Sequence, residues 1–282
     1  MIDNNIHDNS VATKTSLPAS ARLPINRCNL PAVILGGLSF QQQPTALCLD
    51  GINESHASLF AALNTIQSHQ QRAEYFMNYM TVQFRMHRLE DAGLMQGETN
   101  KRHKADYLRM LRGWLFDADS REAAVLKSWV ESRFGLLTRY HKGALADFSG
   151  NNYQLYLHER AQGLYATNAL EAQFDLLYSY CQYELGLTYS ELQCIALYRG
   201  VNKIDSYEIL ARNGKRQATV LLNNLNSFTR NYERAGEFGD YIMETQAPWQ
   251  KILFYSNLLP GIFSGEEEVL LIGGVYKVNI SL

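Results

Sequence analysis

The sequence predicts an α+β protein whose helices and strands occupy separate parts of the chain. Apolar residues recur with helical spacing from residue 55 to about residue 186, whereas short β-rich runs, several of them alternating, follow after about residue 190. Helices and strands do not alternate along the chain, which favours segregated layers over a parallel βαβ sheet. We therefore divide the chain into a disordered tail (residues 1–22), a mainly helical part (23–190) and a β-rich part (191–282).

The tail is predicted from its composition, because residues 1–22 are rich in Asn, Ser, Thr and Ala and show no periodicity. The sequence does not open with a basic segment followed by an apolar stretch, and no apolar run approaches the ~18 residues of a membrane span. The four cysteines lie far apart, which is typical of reduced thiols. These features indicate a cytoplasmic protein without a membrane span.

Three stretches of the helical part carry clear helix signals. The first has apolar residues spaced along one helical face, namely Tyr107, Leu108, Leu111, Trp114 and Leu115. The second is predicted to begin with Asp119 as N-cap, to have Glu122 three residues later as in a capping box, and to end at Gly135. The third is predicted to run over residues 167–186. We interpret all three as packing helices.

The β-rich part contains short runs of β-branched and aromatic residues. The predicted strands are residues 194–199, 219–223, 241–247, 252–255, 269–272 and 275–280. Asn213-Gly214 and Gly273-Gly274 are predicted turns between runs.

The charge balance disfavours nucleic acid as a partner. The 282 residues have a formal net charge of −2, and 46% of them are hydrophobic, so the chain has a substantial core but no extended basic footprint. The histidines are scattered, and no metal site is expected. The 17 tyrosines suit either a polar cleft or protein-binding surface, or a core whose hydroxyl groups reach its edge.

Common nucleotide-binding and hydrolase motifs are absent, including the Walker A loop, GxGxxG, HExxH and GxSxG. Other residues of the β-rich part have to carry any chemistry. Arg199 ends an apolar strand and is followed by Gly200, so its guanidinium is well placed to bind a phosphate or carboxylate close to the backbone. The alternative is an ordinary surface arginine.

Two further segments combine polar residues at a spacing of two. If residues 223–229 are extended, Ser227 and Thr229 share one face; the alternative is a turn rich in Asn and Ser. If the segment before residue 269 is extended, Glu266 and Glu268 lie together and Glu267 faces away. A solvated acidic loop is the alternative there, and the spacing leaves Glu267 open as the working residue.

Arginine at a strand end, a serine-containing strand and Glu-x-Glu, in that order, resemble the Arg-Ser-Glu class of ADP-ribosyltransferases. Over residues 26–279 the chain is similar to the NAD-dinitrogenase-reductase ADP-ribosyltransferases of nitrogen-fixing bacteria. The segments that carry this resemblance are Leu111-Arg112-Gly113-Trp114, residues 125–136, Leu197-Tyr198-Arg199-Gly200-Val201-Asn202, Asn223-Asn224-Leu225 with Ser227-Phe228-Thr229, and Gly265-Glu266-Glu267-Glu268 with Ile272-Gly273-Gly274.

The resemblance implies an enzyme that transfers ADP-ribose from NAD, as a substrate, to an arginine of dinitrogenase reductase and so inactivates it. It implies no metal, and it implies a PII-type nitrogen signalling protein as a candidate regulator. The helical part is then expected to dock the target and cover the cleft of the β-rich catalytic core. Two alternatives stay open: a transferase or NAD glycohydrolase with another target, and a catalytically silent protein-binding module.

The resemblance also implies roles for single residues. Arg199 is expected to hold the phosphate and ribose region of NAD, and Gly200 to admit backbone contact with the nicotinamide amide. Ser227 is expected to order the nicotinamide ribose, supported by Thr229, although the wider superfamily has Ser-Thr-Ser where this chain has Ser227-Phe228-Thr229.

Three residues are expected to act at the reacting end of NAD. Glu268 is the implied catalytic glutamate, and it stabilises the positive charge that grows on the ribose as nicotinamide leaves. Glu266 is the implied partner of the acceptor guanidinium, whose pKa lies above about 12. Phe238 is expected to wall the nicotinamide pocket, or else to be the core residue of a short helix.

Overall fold

The helices come first along the chain and the strands follow them. A computed structural model describes residues 16–86, 106–163, 167–263 and 267–282. Within these ranges nine α-helices precede six β-strands, and a tenth, short helix lies between two of the strands. This order confirms the predicted α+β class, in which helices and strands are segregated along the chain.

The first helices are short and the later ones are longer. The α-helices of the described ranges are α1 (Ala32–Leu35), α2 (Leu38–Gln42), α3 (Ile52–Ser55), α4 (Ala57–Leu63), α5 (His69–Gln83), α6 (Tyr107–Phe116), α7 (Arg121–Phe134), α8 (Asn151–Gly163), α9 (Thr167–Tyr189) and α10 (Tyr232–Gly236). None of the helices in these ranges combines the length and the apolar content that crossing a membrane requires.

Helix α7 begins one residue later than predicted. Its N-cap is Ser120, whose Oγ accepts a hydrogen bond from the backbone N–H of Ala123 at 3.1 Å. The prediction of Asp119 as the cap is wrong, because the Asp119 carboxylate instead accepts a bond from Lys127 Nζ at 3.0 Å. The predicted end of the helix at Gly135 is confirmed.

The apolar stripe of α6 faces the core largely as predicted. Tyr107, Leu111 and Trp114 are buried, and Leu108 and Leu115 are half-buried. Helix α9 continues past its predicted end at residue 186 and finishes three residues later.

The strands form one antiparallel sheet in the order β2-β3-β1-β4-β6-β5. They are β1 (Cys194–Val201), β2 (Glu208–Asn213), β3 (Gln217–Thr229), β4 (Tyr241–Pro248), β5 (Ile252–Tyr255) and β6 (Glu268–Ser281). Strand β3 also pairs with β6, which closes β3, β1, β4 and β6 into a ring. The sequence pattern did not predict β2, although it correctly predicted the Asn213-Gly214 turn that joins β2 to β3.

Gly273-Gly274 is not a turn, so the prediction of two separate strands around it is wrong. Strand β6 continues through both glycines, at the point where other backbone segments come very close to it. A Cβ atom on Gly273 would lie 1.6 Å from the carbonyl oxygen of Asn223, and one on Gly274 would lie 2.7 Å from that of Gly36. Only glycine permits backbones to approach so closely, which is why the pair occurs inside a strand.

Residues 223–229 are extended and belong to β3, so the alternative of an Asn-rich turn is wrong. The asparagines lie at a bulge and bind both α7 and the segment that follows it. Asn224 Nδ2 donates to the carbonyl of Lys127 at 2.7 Å, and Asn223 Oδ1 accepts from the backbone N–H of Arg139 at 2.8 Å. These amides fasten the helical part to the sheet.

One hydrophobic core joins the helices to the sheet. It includes Trp129 and Phe174 from the helices together with Leu197 and Leu271 from the strands. Helix α9 packs directly against β5. The change in pattern near residue 190 therefore marks a change of secondary structure within a continuous core.

The described end of the predicted tail packs against this core. Leu17 and Ala21 are each 3% exposed, and Arg22 forms an isolated β-bridge with Leu136. The prediction of disorder is therefore wrong for residues 16–22, while residues 1–15 lie outside the described ranges.

Many tyrosines belong to the core. Five of the largest fully buried side chains are Tyr107, Tyr156, Tyr178, Tyr180 and Tyr276. The hydroxyl of Tyr178 donates to the carbonyl of Gln250 at 2.8 Å, and that of Tyr276 donates to the carbonyl of Ile272 at 2.8 Å. The core interpretation of the tyrosine excess is confirmed for these residues.

Candidate active site

The ends of three strands meet beneath one cavity. Tyr198 of β1 pairs with Thr229 of β3, and Thr229 pairs in turn with Glu268, the first residue of β6. This row of paired residues places the end of β1, which carries Arg199, beside Ser227 of β3 and Glu268 of β6. Residues far apart in the sequence therefore share one site.

The cavity above this row has a volume of about 440 Å³, and we call it the reaction cavity. Its lining residues are Trp114, Leu115, Phe116, Asp117, Ala118, Tyr198, Arg199, Gly200, Ser227, Phe228, Thr229, Arg234, Ala235, Phe238, Glu267 and Glu268. The structure thus brings together six of the seven predicted site residues, while Glu266 lies outside the described residues.

Glu267 borders the reaction cavity beside Glu268, so the prediction that it faces away is wrong. The reason is that β6 begins only at Glu268, and the alternation of a strand does not extend to the residue before it. Glu267 is exposed, whereas Glu268 is half-buried.

Two hydrogen bonds fix the guanidinium of Arg199. Its Nη1 donates to the backbone carbonyl of Ser227 at 2.8 Å, and its Nε donates to the hydroxyl of Tyr207 at 3.1 Å. These bonds use only part of the guanidinium's N–H groups. The arrangement orients a permanent positive charge at the edge of the cavity.

Trp114 joins Ser227 and Glu268. Its indole Nε1 lies 3.0 Å from Ser227 Oγ and 3.1 Å from Glu268 Oε1, so one N–H group donates to both. The ring is 2% exposed. The apolar spacing in α6 indicated only a packing role for Trp114; the signal for more was its place in the Leu111-Arg112-Gly113-Trp114 segment of the family resemblance.

The backbone of Glu268 is also held. The hydroxyl of Ser256, which follows β5, accepts a bond from the Glu268 N–H at 2.9 Å and donates to the Glu268 carbonyl at 3.1 Å. The sequence pattern gave no indication of this role for Ser256. Both the main chain and the carboxylate of Glu268 therefore have fixed partners.

Gly200 lets helix α10 close over β1. A Cβ atom at this position would lie 2.1 Å from the carbonyl oxygen of Ala235 and 3.0 Å from the carbonyl carbon of Phe238. The ring of Phe238, just after α10, is 60% exposed and borders the cavity, so the alternative that it is a core residue is wrong. The guanidinium carbon of Arg234 lies 5.4 Å from the centre of that ring.

Thr229 has a local structural partner. Its Oγ1 accepts a bond from the backbone N–H of Asn231, the N-cap of α10, at 3.1 Å. The side chain therefore helps to set the turn that leads from β3 into α10.

A second cavity of about 490 Å³ adjoins the first and shares Trp114, Arg199 and Ser227 with it. We call it the side cavity. It is also bordered by Lys127, whose Nζ donates to Asp119 Oδ1 at 3.0 Å and to the carbonyl of Tyr140 at 3.1 Å. The side cavity thus has three basic side chains on its border, Lys127, Arg139 and Arg199, and the sequence pattern had revealed only Arg199.

Burial shifts the pKa values of Lys127 and of the neighbouring His141. It lowers the pKa of Lys127 from its usual value, although the nearby Asp119 carboxylate opposes that shift. Burial also lowers the pKa of His141. A neutral His141 can accept from Lys127 Nζ at 3.2 Å through Nδ1 while its Nε2–H donates to Glu159 at 2.6 Å.

Within the described ranges, no three or more His, Cys, Asp or Glu side chains are grouped so that they could hold a metal ion.

Comparison with known proteins connects this geometry to a family. The family model described as dinitrogenase reductase ADP-ribosyltransferase matches residues 25–280. The chain is 36% identical over 259 residues to "NAD(+)--dinitrogen-reductase ADP-D-ribosyltransferase" of Rhodospirillum rubrum, a match that covers 91% of this chain and 94% of that protein. No solved structure matches.

Proposed function

The chain belongs to the dinitrogenase reductase ADP-ribosyltransferase family, and on this premise we propose that it transfers ADP-ribose from NAD to an arginine of dinitrogenase reductase. The transfer releases nicotinamide and inactivates the target, the iron protein of nitrogenase. One observation carries the proposal: Arg199, Ser227 and Glu268 border the same cavity, and a single indole N–H holds the last two.

The two adjoining cavities suit the two halves of a dinucleotide. Arg199 borders both of them, so its guanidinium is positioned to hold the phosphates between the halves. The nicotinamide and its ribose then occupy the reaction cavity, with Gly200 and Phe238 at the nicotinamide and Ser227 at the ribose. Thr229 supports this pocket through the turn before α10. Each cavity has a volume typical of a small-molecule site.

Glu268 stabilises the charge that develops in the reaction. The bond between ribose C1′ and the nicotinamide nitrogen breaks, and positive charge grows on the ribose. The carboxylate is held by Trp114 and the main chain of the same residue by Ser256, so it needs no reorganisation to meet that charge and favours the transition state over the bound substrate.

The acceptor requires a second carboxylate. A guanidinium with a pKa above about 12 is a poor nucleophile unless a neighbouring base accepts a proton. Glu266 is assigned this step on the family resemblance: it pairs with the acceptor and takes its proton as the new bond from nitrogen to C1′ forms. A PII-type protein as regulator and a cytoplasmic location complete the proposal.

The test is to incubate the purified protein with NAD and dinitrogenase reductase and to examine the target by mass spectrometry. We expect one arginine to gain a single ADP-ribose, with an equal amount of nicotinamide released. Nicotinamide release without a modified target would indicate an NAD glycohydrolase instead. Absence of both products would leave only a binding module.

Three variants separate the roles of the acidic residues. Glu268→Gln should lose both transfer and NAD hydrolysis by at least about 100-fold, the effect of removing one transition-state contact. Glu266→Gln should lose transfer but keep some hydrolysis. Glu267→Gln should keep both reactions, and its inactivity would reassign the catalytic role to Glu267.

A further inference from the structure

Exposed aromatic side chains gather around the active site. The exposed aromatic residues of the described ranges are Tyr75, Phe116, Tyr140, Phe148, Tyr232 and Phe238. Four of these six border a cavity that reaches Arg199 or Glu268: Phe116 and Phe238 border the reaction cavity, Tyr140 borders the side cavity, and Tyr232 borders an open groove at Glu268. Single exposed aromatics are ordinary, but this grouping is not.

Different segments of the chain supply these side chains. Phe116 is the last residue of α6, Tyr140 lies beyond the end of α7, and Tyr232 is the first residue of α10. One poorly packed segment therefore does not account for the grouping. Phe238 is already assigned to the nicotinamide wall, and we call the other three the aromatic collar.

The position of Phe116 is the most informative. Its side chain is 93% exposed, although Trp114, two residues earlier in the same helix, is buried against Ser227 and Glu268. The helix that fixes the Glu268 carboxylate thus also presents a highly exposed phenylalanine at the cavity edge. Exposing such an apolar surface is unfavourable unless something covers it.

We propose that the aromatic collar packs against the protein substrate around its acceptor arginine. This inference rests on the proposed function, because a guanidinium can reach C1′ only if the surface around it contacts the rim of the reaction cavity. Aromatic residues are enriched in the buried centres of protein interfaces. The exposed carboxylates of Asp117 and Glu267, which border the same cavity, complement the positive charge of the arginine.

The test compares a protein acceptor with a small one. Phe116→Ser and Tyr140→Ser are assayed with dinitrogenase reductase and, separately, with agmatine, which has a guanidinium but no surrounding protein surface. Tyr75→Ser is the matched control, because Tyr75 is an exposed aromatic residue that borders none of these cavities. The full chain is used throughout.

We expect each collar variant to raise KM for dinitrogenase reductase at least about tenfold, as loss of one interface anchor does. Phe116 and Tyr140 border the cavities assigned to NAD, so every assay is run at saturating NAD. Under this condition the KM for agmatine and the rate of NAD hydrolysis should change far less than the KM for dinitrogenase reductase, and Tyr75→Ser should match wild type in all assays. An unchanged KM for dinitrogenase reductase would overturn the proposal, and so would an equal rise in KM for dinitrogenase reductase and for agmatine. So would a collar variant that changes only the protein's own oligomeric state.

Binding without chemistry distinguishes this proposal from the proposed function. Glu268→Gln, alone and combined with Phe116→Ser, is titrated with dinitrogenase reductase in the presence of NAD. If Glu268→Gln binds dinitrogenase reductase more tightly than the double variant does, the collar is supported. If the wild type also transfers no ADP-ribose, only the proposed function fails. Equal binding by the two variants refutes the collar even if transfer occurs.

Discussion

Trp114 connects a packing helix to the chemistry of the sheet. It is separated by 113 residues from Ser227 and by 154 residues from Glu268, yet one N–H group bonds to both. Periodicity identifies such a residue as buried but cannot identify its polar partner. Arg199, Ser227 and Glu268 were predictable because each belongs to a local motif, whereas the partners that orient them, Trp114 among them, are brought in by tertiary packing.

Trp114→Phe should lower kcat more than it changes KM for NAD. The replacement keeps an aromatic ring in the core but leaves the Glu268 carboxylate without the indole donor. A hydrogen bond to a charged group contributes about 1.5–3 kcal/mol, so we expect kcat to fall roughly 10- to 100-fold. Steady-state kinetics of nicotinamide release measure the effect.

Trp129→Phe is the matched control for this variant. Trp129 is also buried, and its Nε1 donates to Asp175 at 2.7 Å, away from the reaction cavity. Its replacement should reduce thermal stability and leave kcat near the wild-type value. If both variants lower kcat equally, the effect of Trp114 is one of stability and not of positioning.

At the scale of elements, strands β3 and β6 are longer than their local sequence suggests. Asn223 and Gly273-Gly274 have the composition of turns, and the sequence pattern therefore ended strands at both places. In the fold the two places face each other, and the glycines make room for the bulge that holds the asparagines. Local composition cannot distinguish a turn from a bulge, because long-range pairing decides between them.

Gly200→Ala should weaken NAD binding by moving α10. The added methyl would meet the carbonyl oxygen of Ala235 at 2.1 Å, so the segment carrying Phe238 must shift away from β1. We expect KM for NAD to rise several-fold, with a stability loss of about 1–3 kcal/mol, as is usual for overpacking. Initial rates at varied NAD and thermal unfolding measure the two effects.

Gly236→Ala provides the comparison within the same helix. A Cβ atom there would come no closer than 3.7 Å to Ile242, which is ordinary contact, and alanine favours helix. This variant should bind NAD as the wild type does. An unchanged KM in Gly200→Ala would show that the close approach of α10 does not shape the NAD site.

At the scale of the molecule, the helical part and the sheet are not separable bodies. The core runs through both, and the sheet is fastened to the helices by Asn223 and Asn224. The segregation of helices from strands was predictable, because periodicity changes sharply near residue 190. The shared core was not predictable, because the pattern of a single sequence shows which faces of the helices and strands are apolar but not which of these faces pack together.

We expect Lys251 to make the stability of the whole molecule depend on pH. The side chain is buried, its Nζ donates to the carbonyl of Gly273 and lies 4.6 Å from the centre of the Tyr276 ring, and burial lowers the pKa of Lys251 to about 7. An unfolded lysine has a pKa near about 10.4, so between these values the unfolded chain binds the extra proton. The free energy of unfolding should therefore rise with pH from about 7 to about 10.

Lys251→Met removes this titration. Chemical denaturation at several pH values between about 7 and 9 should give a shallower rise for the variant, with a difference approaching about 1.4 kcal/mol per pH unit. Parallel curves for wild type and variant would mean that Lys251 stays protonated in the folded protein.

The place of β6 in the chain has a consequence for biosynthesis. It pairs with β3, β4 and β5, all of which leave the ribosome before it does. Its first residue is Glu268, so a nascent chain holds Arg199, Ser227 and Trp114 for some time without the carboxylate that they surround. Translation therefore supplies the Glu268 carboxylate only after the rest of the cleft has been made, so the reaction proposed for this residue has to wait for the last strand.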